Sequence, residues 1–519
     1  MGKRFRFSAL VAIALCTCAA PAPGLLDIPT SERRALEVAD LGASSGESRP
    51  ANLSAGPLDD ISYLEAFRAL RRKGLVDPLG ERLSRWARAR SDKRLHLETL
   101  WPEARVRLFW AETDAPRRLL YHTSGDALRD GFTGFLNLTG AGFWGTRVGG
   151  LYDLGIQRRP GDITVHLKRL YVKGVWGKWS FKLGRDAERL GPGYHGNLLL
   201  SDNAPTYEYW RIRTEEPLFL PGHLGWIGGF RFMLFNAYLS DGDPDPADPR
   251  YGSGVDTVHD PRLLGMRLSY HPVSWLDLGL SRTILYGGKG RETYDSPRDW
   301  WELLTARSEN VKPGESHRYD NDQYVAFDLT VRLPGLNGWG PLKGGKIYWE
   351  YGATDIISKW QGEDPGNWEP FQLNRVANLG GLYLTTAVTE LRFEFAQTDP
   401  AWYRHGQYSQ GYTYRGYPLG HHMGGDARNW FVEVSRYFGP SWRATLSLDL
   451  EERARSWATE ERRSEWAFSL EARELRIFGV PLDLRVDALQ ARVANALDDP
   501  GREDRTEAFL GVSGTLRLR

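Results

Sequence analysis

The chain has 519 residues, with 67 Lys plus Arg against 66 Asp plus Glu, a formal net charge of +1 at pH 7. That balance gives no basic field for nucleic acid. Mean hydropathy is −0.47, and beyond residue 24 no apolar run is long enough for a membrane-spanning helix, which excludes a helical membrane protein. Both cysteines, Cys16 and Cys18, lie at the start, so the rest of the chain has no disulfide, thiolate metal site or cysteine nucleophile.

The first residues read as a secretory signal peptide, residues 1–24. Lys3, Arg4 and Arg6 precede an apolar stretch from Phe7 to Ala20, and small residues crowd Ala19 to Gly24. Cleavage after Ala19 or Gly24 is expected. Lipid attachment fits poorly, because Leu15 and Thr17 stand before the two cysteines where a small residue is wanted. Residues 25–58 carry Ser, Gly, Pro and charges without a period, and are expected to be a flexible tether. Helical spacing then runs over residues 59–103. Leu64, Phe67 and Leu70 share a face that Gly74 terminates, and Asp77-Pro78 starts a second helix with Leu79, Leu83 and Trp86 on one side. Helices this small must dock on something larger. The expectation is a bundle plugging the periplasmic mouth of the large C-terminal domain.

From residue 104 to 519 the apolar period changes to two. Trp442, Ala444, Leu446, Leu448 and Leu450 alternate with Arg443, Thr445, Ser447, Asp449 and Glu451. The same pattern recurs in Leu264–Tyr270, Leu276–Leu280, Val325–Val331, Trp466–Leu470, Leu482–Val486 and Leu510–Leu518. Alternation sets one face in an apolar medium and the other in a polar one. A β-sandwich would alternate too. Three features favour a membrane barrel: strands near the length a tilted membrane strand needs, charges of both signs on the polar face, and connections that alternate in length. Phe438-Gly439-Pro440 and Ala387-Val388 are short, whereas 239–260, 286–320 and 398–427 are long and polar. Backbone groups in hydrocarbon must all find partners, so the sheet must close. The fold class expected is therefore all-β, a transmembrane antiparallel barrel of about 18 strands in the outer membrane, with a small N-terminal periplasmic helical segment.

Two runs carry a family resemblance. Gly184-Arg185-Asp186-Ala187-Glu188-Arg189-Leu190-Gly191-Pro192-Gly193 leads into Asn197–Pro205. Tyr412-Thr413-Tyr414-Arg415-Gly416-Tyr417-Pro418-Leu419-Gly420-His421 leads into Gly424-Gly425-Asp426. With the preface ending at Trp101-Pro102, the chain resembles the capsule assembly Wzi family from about residue 59 onward. The resemblance implies an outer-membrane barrel with a small periplasmic helical bundle. It also implies a surface lectin, not an enzyme, that anchors capsular polysaccharide or exopolysaccharide. No cofactor is expected. The partners expected are that polymer and outer-membrane lipid, not nucleic acid, for a chain acting as a monomer.

A lectin needs flat apolar faces for the C–H side of a pyranose and polar groups for its hydroxyls. The loop Trp402–Asp426 is the densest source, and Trp402, Tyr403, His405, Tyr408, Tyr412, Tyr414, Arg415, His421 and Asp426 are the polysaccharide-binding candidates. The other reading of these aromatics is that they pack the loop on itself or fill the barrel mouth. Ser296-Pro297-Arg298-Asp299 predicts a short helix start followed by the pair Trp300 and Trp301, for which packing is expected. Trp360 and Trp368 flank a turn and are weaker candidates. Asp241, Asp243, Asp245 and Asp248 lack the distal glutamate of a Ca²⁺ loop and are expected to be solvated charges, so no metal is expected. His421, His422 and Asp426 with Ser409 invite a hydrolase reading, but no nucleophile elbow accompanies them. The stronger rival is a sugar or anion porin on the same barrel.

Overall fold

The computed structural model describes residues 103–517 apart from 241–259, 305–320, 359–370 and a few shorter stretches. Short pieces at 38–39, 43–44, 66–68 and 95–96 are described as well. Eighteen long strands follow in chain order. They are β1 (Glu103–Glu112), β2 (Gly131–Trp144), β3 (Val148–Arg159), β4 (Asp162–Trp176), β5 (Trp179–Asp186) and β6 (Tyr207–Thr214). Next come β7 (Gly229–Tyr238), β8 (Arg262–Val273), β9 (Leu276–Tyr286), β10 (Asp322–Arg332), β11 (Leu342–Ser358) and β12 (Phe371–Thr386). The last six are β13 (Thr389–Thr398), β14 (Ala427–Phe438), β15 (Trp442–Arg453), β16 (Glu461–Ile477), β17 (Val480–Ala494) and β18 (Arg505–Arg517). Each is antiparallel to the next, and β1 pairs with β18 from Glu103 opposite Arg517 to Glu112 opposite Ala508. The sheet is closed, as the alternation predicts.

The burial pattern is inverted relative to a protein in water. In β1, Val106, Leu108 and Trp110 face outward and are exposed, while Phe109 and Ala111 face the lumen. In β5, Phe181 and Leu183 are outside and Ser180 and Lys182 are buried inside. An apolar belt of this extent is stable only against lipid. Exposed Trp144, Trp176, Trp179, Trp275 and Trp442 stand at the short-turn end of the strands, where an interfacial girdle belongs. Inside, opposite charges meet across strands. Arg169 binds Asp153 at 2.9 Å and Asp186 at 3.1 Å, and Lys182 reaches Asp186 at 2.5 Å. Arg267 grips Asp328 with two bonds of 2.6 and 2.9 Å.

The connections differ at the two ends. The N-terminus of β1 lies at the short-turn end, which is the periplasmic end in barrels of this kind, and the long connections 113–130, 187–206, 239–261, 287–321 and 399–426 lie at the other. Two of these long loops fold into the lumen. Leu190, Leu198, Leu199 and Leu200 from one, and Trp402, Tyr403, Tyr412, Leu419 and Met423 from the other, share an apolar core with Tyr209, Phe235, Tyr324, Tyr348 and Leu379 of the wall. The lumen beside these strands is thus filled from the long-loop side. The sequence placed the plug in the helices of 59–103. Most of that segment lies outside the described residues, as do residues 1–24. Residues 66–68 are helical with Phe67 buried, and Leu95–His96 forms a two-residue strand against β2. Within the stretch expected to be a tether, residues 38–39 and 43–44 are helical and buried, so at those positions the chain is packed.

One wall carboxylate holds the first inward loop. Glu394 on β13 accepts the backbone N–H of His195 and of Gly196, both at 3.0 Å, on one oxygen. Its other oxygen accepts the N–H of Tyr194 at 2.5 Å and the hydroxyl of Tyr348 at 2.7 Å. Hydrogen bonds to a charged acceptor contribute about 1.5–3 kcal/mol each. Substituting Glu394→Gln removes the charge and two accepting sites. Limited proteolysis of the detergent-solubilised barrel should then cut within 187–206, with heat-modifiable gel migration retained; wild-type resistance would mean that the apolar core alone holds the loop. Substituting Arg267→Met should lower stability to urea by about 3–5 kcal/mol, because Asp328 is left buried and uncompensated. Adding Asp328→Leu should recover much of the loss.

Candidate functional site

The second inward loop, 399–426, is built around a miniature hairpin. Thr413–Tyr414 pairs with Tyr417–Pro418, and the two residues between them, Arg415 and Gly416, both have positive φ, 53° and 74°. That is the backbone of a tight hairpin turn. It points Arg415 outward while Tyr414 and Tyr417 are buried behind it.

Of the nine residues read from sequence as sugar contacts, the fold buries seven. Trp402, Tyr403, Tyr408, Tyr412, Tyr414, His421 and Asp426 are all below one-tenth exposed. Tyr403 and Tyr412 stack at 5.6 Å, and the Tyr403 hydroxyl donates to Leu198 O at 2.5 Å and accepts His421 N–H at 2.8 Å. Tyr412 donates to Thr283 Oγ1 at 2.9 Å, and Tyr408 to Gly287 O at 3.3 Å. Asp426 accepts the Ser456 hydroxyl at 2.6 Å and so ties its loop to the next one. The five aromatic side chains among them face protein because large apolar rings are stabilised by leaving water, whereas Asp426 is held by its hydrogen bonds to Ser456. His405 is half-buried, and Arg415 and Arg404 are exposed. Two glycines allow the loops to meet. A Cβ on Gly196 would stand 2.2 Å from the His421 ring, and one on Gly420 would stand 2.5 Å from Leu198 O.

The exposed rings at this end lie elsewhere. Ser296 caps the helix α1 (Pro297–Leu304): Asp299 N–H donates to its hydroxyl at 3.2 Å, and the Asp299 carboxylate accepts Ser296 N–H at 2.9 Å. The helix start is where the sequence puts it. Trp300 packs against Tyr286 and Tyr294, with ring centroids 5.8 and 6.2 Å away, whereas Trp301 is 60% exposed. Trp457, in the loop between β15 and β16, is 45% exposed. Beside that loop a cleft of about 600 Å³ opens at the outer ends of β14 to β18, lined by Trp430, Arg462, Arg463, Arg492, Asp504 and Arg505 among others. Sequence reasoning missed Trp457 and these arginines. The one signal is the charge density of the strand ends around Arg453–Arg463. Trp360, Trp368 and the aspartates 241–248 lie outside the described residues, as does Ser409.

Behind the loop tips is a buried polar cluster. His195 Nε2 lies 2.9 Å from Asp449 Oδ2, and His422 Nε2 lies 2.8 Å from Glu451 Oε1 and 3.9 Å from Asp449 Oδ2. His195 stacks on Phe431 at 3.9 Å, and His422 lies over Tyr121 at 4.1 Å. The three imidazoles belong to loops outside the membrane-spanning strands and differ in basicity. Burial pushes His421 well below the usual histidine value, helped by His422 and His195. Burial and His195 also lower His422. Burial works against a charged His195 too, but the Asp449 carboxylate outweighs it and raises that imidazole.

The comparisons with known proteins agree with this architecture. Residues 113–493 match the model of the family described as capsule assembly protein Wzi. A Klebsiella pneumoniae protein, described as an uncharacterized 55.8 kDa protein in the cps region, is 24% identical over 165 residues. That match covers 32% of this chain and 29% of the relative. The solved structure of Wzi from Escherichia coli superposes with a TM-score of 0.62 at 18% identity, covering 94% of this chain and 98% of that one. It is described as an outer-membrane protein involved in group 1 capsule assembly and as a carbohydrate-binding β-barrel. With a family match over most of its length and the closed barrel that goes with it, this chain belongs to the capsule assembly Wzi family.

Proposed function

We propose that this outer-membrane barrel binds exported polysaccharide, capsular or exopolysaccharide, on its extracellular loops and anchors it to the cell. The observation that carries the reading is the long-loop end itself, where a filled lumen carries exposed rings and cations on its outer side. Trp301 and Trp457 offer ring faces, and Arg404, His405 and Arg415 offer donors at the tip of 399–426. The cleft bearing Arg462 and Arg492 suits an acidic sugar. Of the loop residues read from sequence, His405 and Arg415 stay as direct contacts. The buried seven act through the shape they give the loop. The carbohydrate-binding description of the Escherichia coli relative supports this chemistry.

Each contact is weak, but a polymer engages many copies of the barrel at once, and linked contacts multiply. The role is binding without turnover. A channel would need a path past the two inward loops. In planar bilayers the barrel should therefore give no large steady current, and porin-like conductance would count against anchoring.

In cells lacking the gene, polysaccharide should move from the cell surface into the medium at unchanged total. Re-expression of the wild-type chain should restore retention. A Trp301→Ala, Arg415→Ala, Trp457→Ala triple variant, present at wild-type level in the outer membrane, should not. Retention unchanged by the deletion would sink the anchoring role, and full rescue by the triple variant would move the binding surface elsewhere.

A further inference from the structure

The buried cluster behind the loop tips has the donor set of a metal centre. One imidazole nitrogen each of His195 and His422 and one Asp449 oxygen lie within 4.8 Å of one another, and all three residues are buried. Glu451 Oε1 stands beside this set, 2.8 Å from His422 Nε2. Each acid commits its other oxygen to a fixed partner. Asp449 Oδ1 accepts from the Asn429 amide, and Glu451 Oε2 pairs with Arg453. The remaining oxygens, Asp449 Oδ2 and Glu451 Oε1, are thereby aimed at the imidazoles. This is the outer-shell orientation that fixes metal ligands.

A network serving only to satisfy polar groups would leave no imidazole nitrogen over. His422 is 2% exposed, yet its Nδ1 has no hydrogen-bond partner, while its Nε2 faces Glu451 Oε1 at 2.8 Å.

We infer that His195, His422 and Asp449 together bind a divalent transition ion, with Zn²⁺ the best fit and Glu451 holding the His422 ring from the side. Two imidazoles and one carboxylate make a three-donor set of borderline softness with a fourth position left for solvent, whereas Ca²⁺ and Mg²⁺ prefer oxygen alone. Ligands about 2.1 Å from a tetrahedral ion stand about 3.4 Å apart, and the imidazole-to-Asp449 separations of 2.9 and 3.9 Å bracket that value. The ion joins three separate parts of the chain: the loop 187–206, the loop 399–426 and the wall strand β15. It is a staple between plug and barrel. Its ligands are so far apart in sequence that no spacing motif announces them.

The test uses the untagged full-length barrel, extracted in detergent, stripped with a chelator and titrated with ZnCl₂ by calorimetry. One Zn²⁺ per chain and a raised unfolding temperature are expected, with MgCl₂ giving neither. His422→Gln and Asp449→Asn should weaken uptake roughly tenfold or more, while His223→Gln, at an exposed histidine on the short-turn side, should not. Heat-modifiable migration shows whether each variant has folded. Co²⁺ loaded into the wild-type chain should give the visible bands of a tetrahedral site, a readout needing no variant. Absence of stoichiometric Zn²⁺ uptake by the wild type would overturn the site and leave a histidine–carboxylate network. So would wild-type uptake by folded His422→Gln and Asp449→Asn. Polysaccharide retention plays no part in these readouts, so the staple and the anchoring role fail or stand separately.

Discussion

The closure of the sheet is the constraint on which everything else rests. Inside hydrocarbon an unpaired N–H or C=O has no water to turn to, so β1 must find β18 although hundreds of residues separate them. Closure fixes which face of each strand meets lipid, and the apolar period of two supplies that face. The other face is forced into the lumen whatever it carries. Here it carries arginine, lysine, aspartate and glutamate, which are tolerable there because they meet across strands. Arg169 between Asp153 and Asp186, and Arg267 on Asp328, are examples. An isolated buried charge would destabilise the wall; a cross-strand pair does not.

A barrel of this size has more lumen than wall side chains fill. The chain fills it with its own long loops, whose backbone then needs partners away from water. Wall carboxylates supply them. Glu394 takes three consecutive loop N–H groups, and Glu350 takes that of Leu198 at 3.2 Å. The acidic residues of the polar face thus have two uses, neutralising wall cations and accepting loop amides. The second explains how 187–206 can be buried almost throughout without regular structure of its own.

Much of the fold was legible because β alternation is a local signal read within a single strand. The barrel, the short turn Ala387-Val388 and the helix start at Ser296 all follow from neighbours in sequence. The candidate site was less legible, and the loop 402–426 shows why. Its aromatic density is real, but whether a ring faces sugar or protein depends on residues 198–200, some two hundred positions away, and on wall residues such as Thr283 and Tyr324. Nothing within the loop's own sequence distinguishes Tyr412, buried against Thr283, from an exposed ring. The same holds for the adjacent pair Trp300 and Trp301, one packed on Tyr286 and the other turned outward. Helical geometry separates adjacent side chains by about 100°, so a pair cannot share one environment.

Burial of most loop aromatics bears on the proposed recognition through the shape it gives the loop. A loop that had to order itself on each sugar would lose conformational entropy at every binding event. On the proposed reading that loss is smaller here, because Tyr403, Tyr412 and Trp402 already fix the backbone on which Arg415 is mounted. The positive φ at Arg415 and Gly416 sets the direction of that side chain without help from a ligand. A surface whose contacts are individually weak gains most from such rigidity, since the entropic saving recurs at each repeat of the polymer. The aromatic richness of the loop is therefore consistent with binding even though its rings are turned inward.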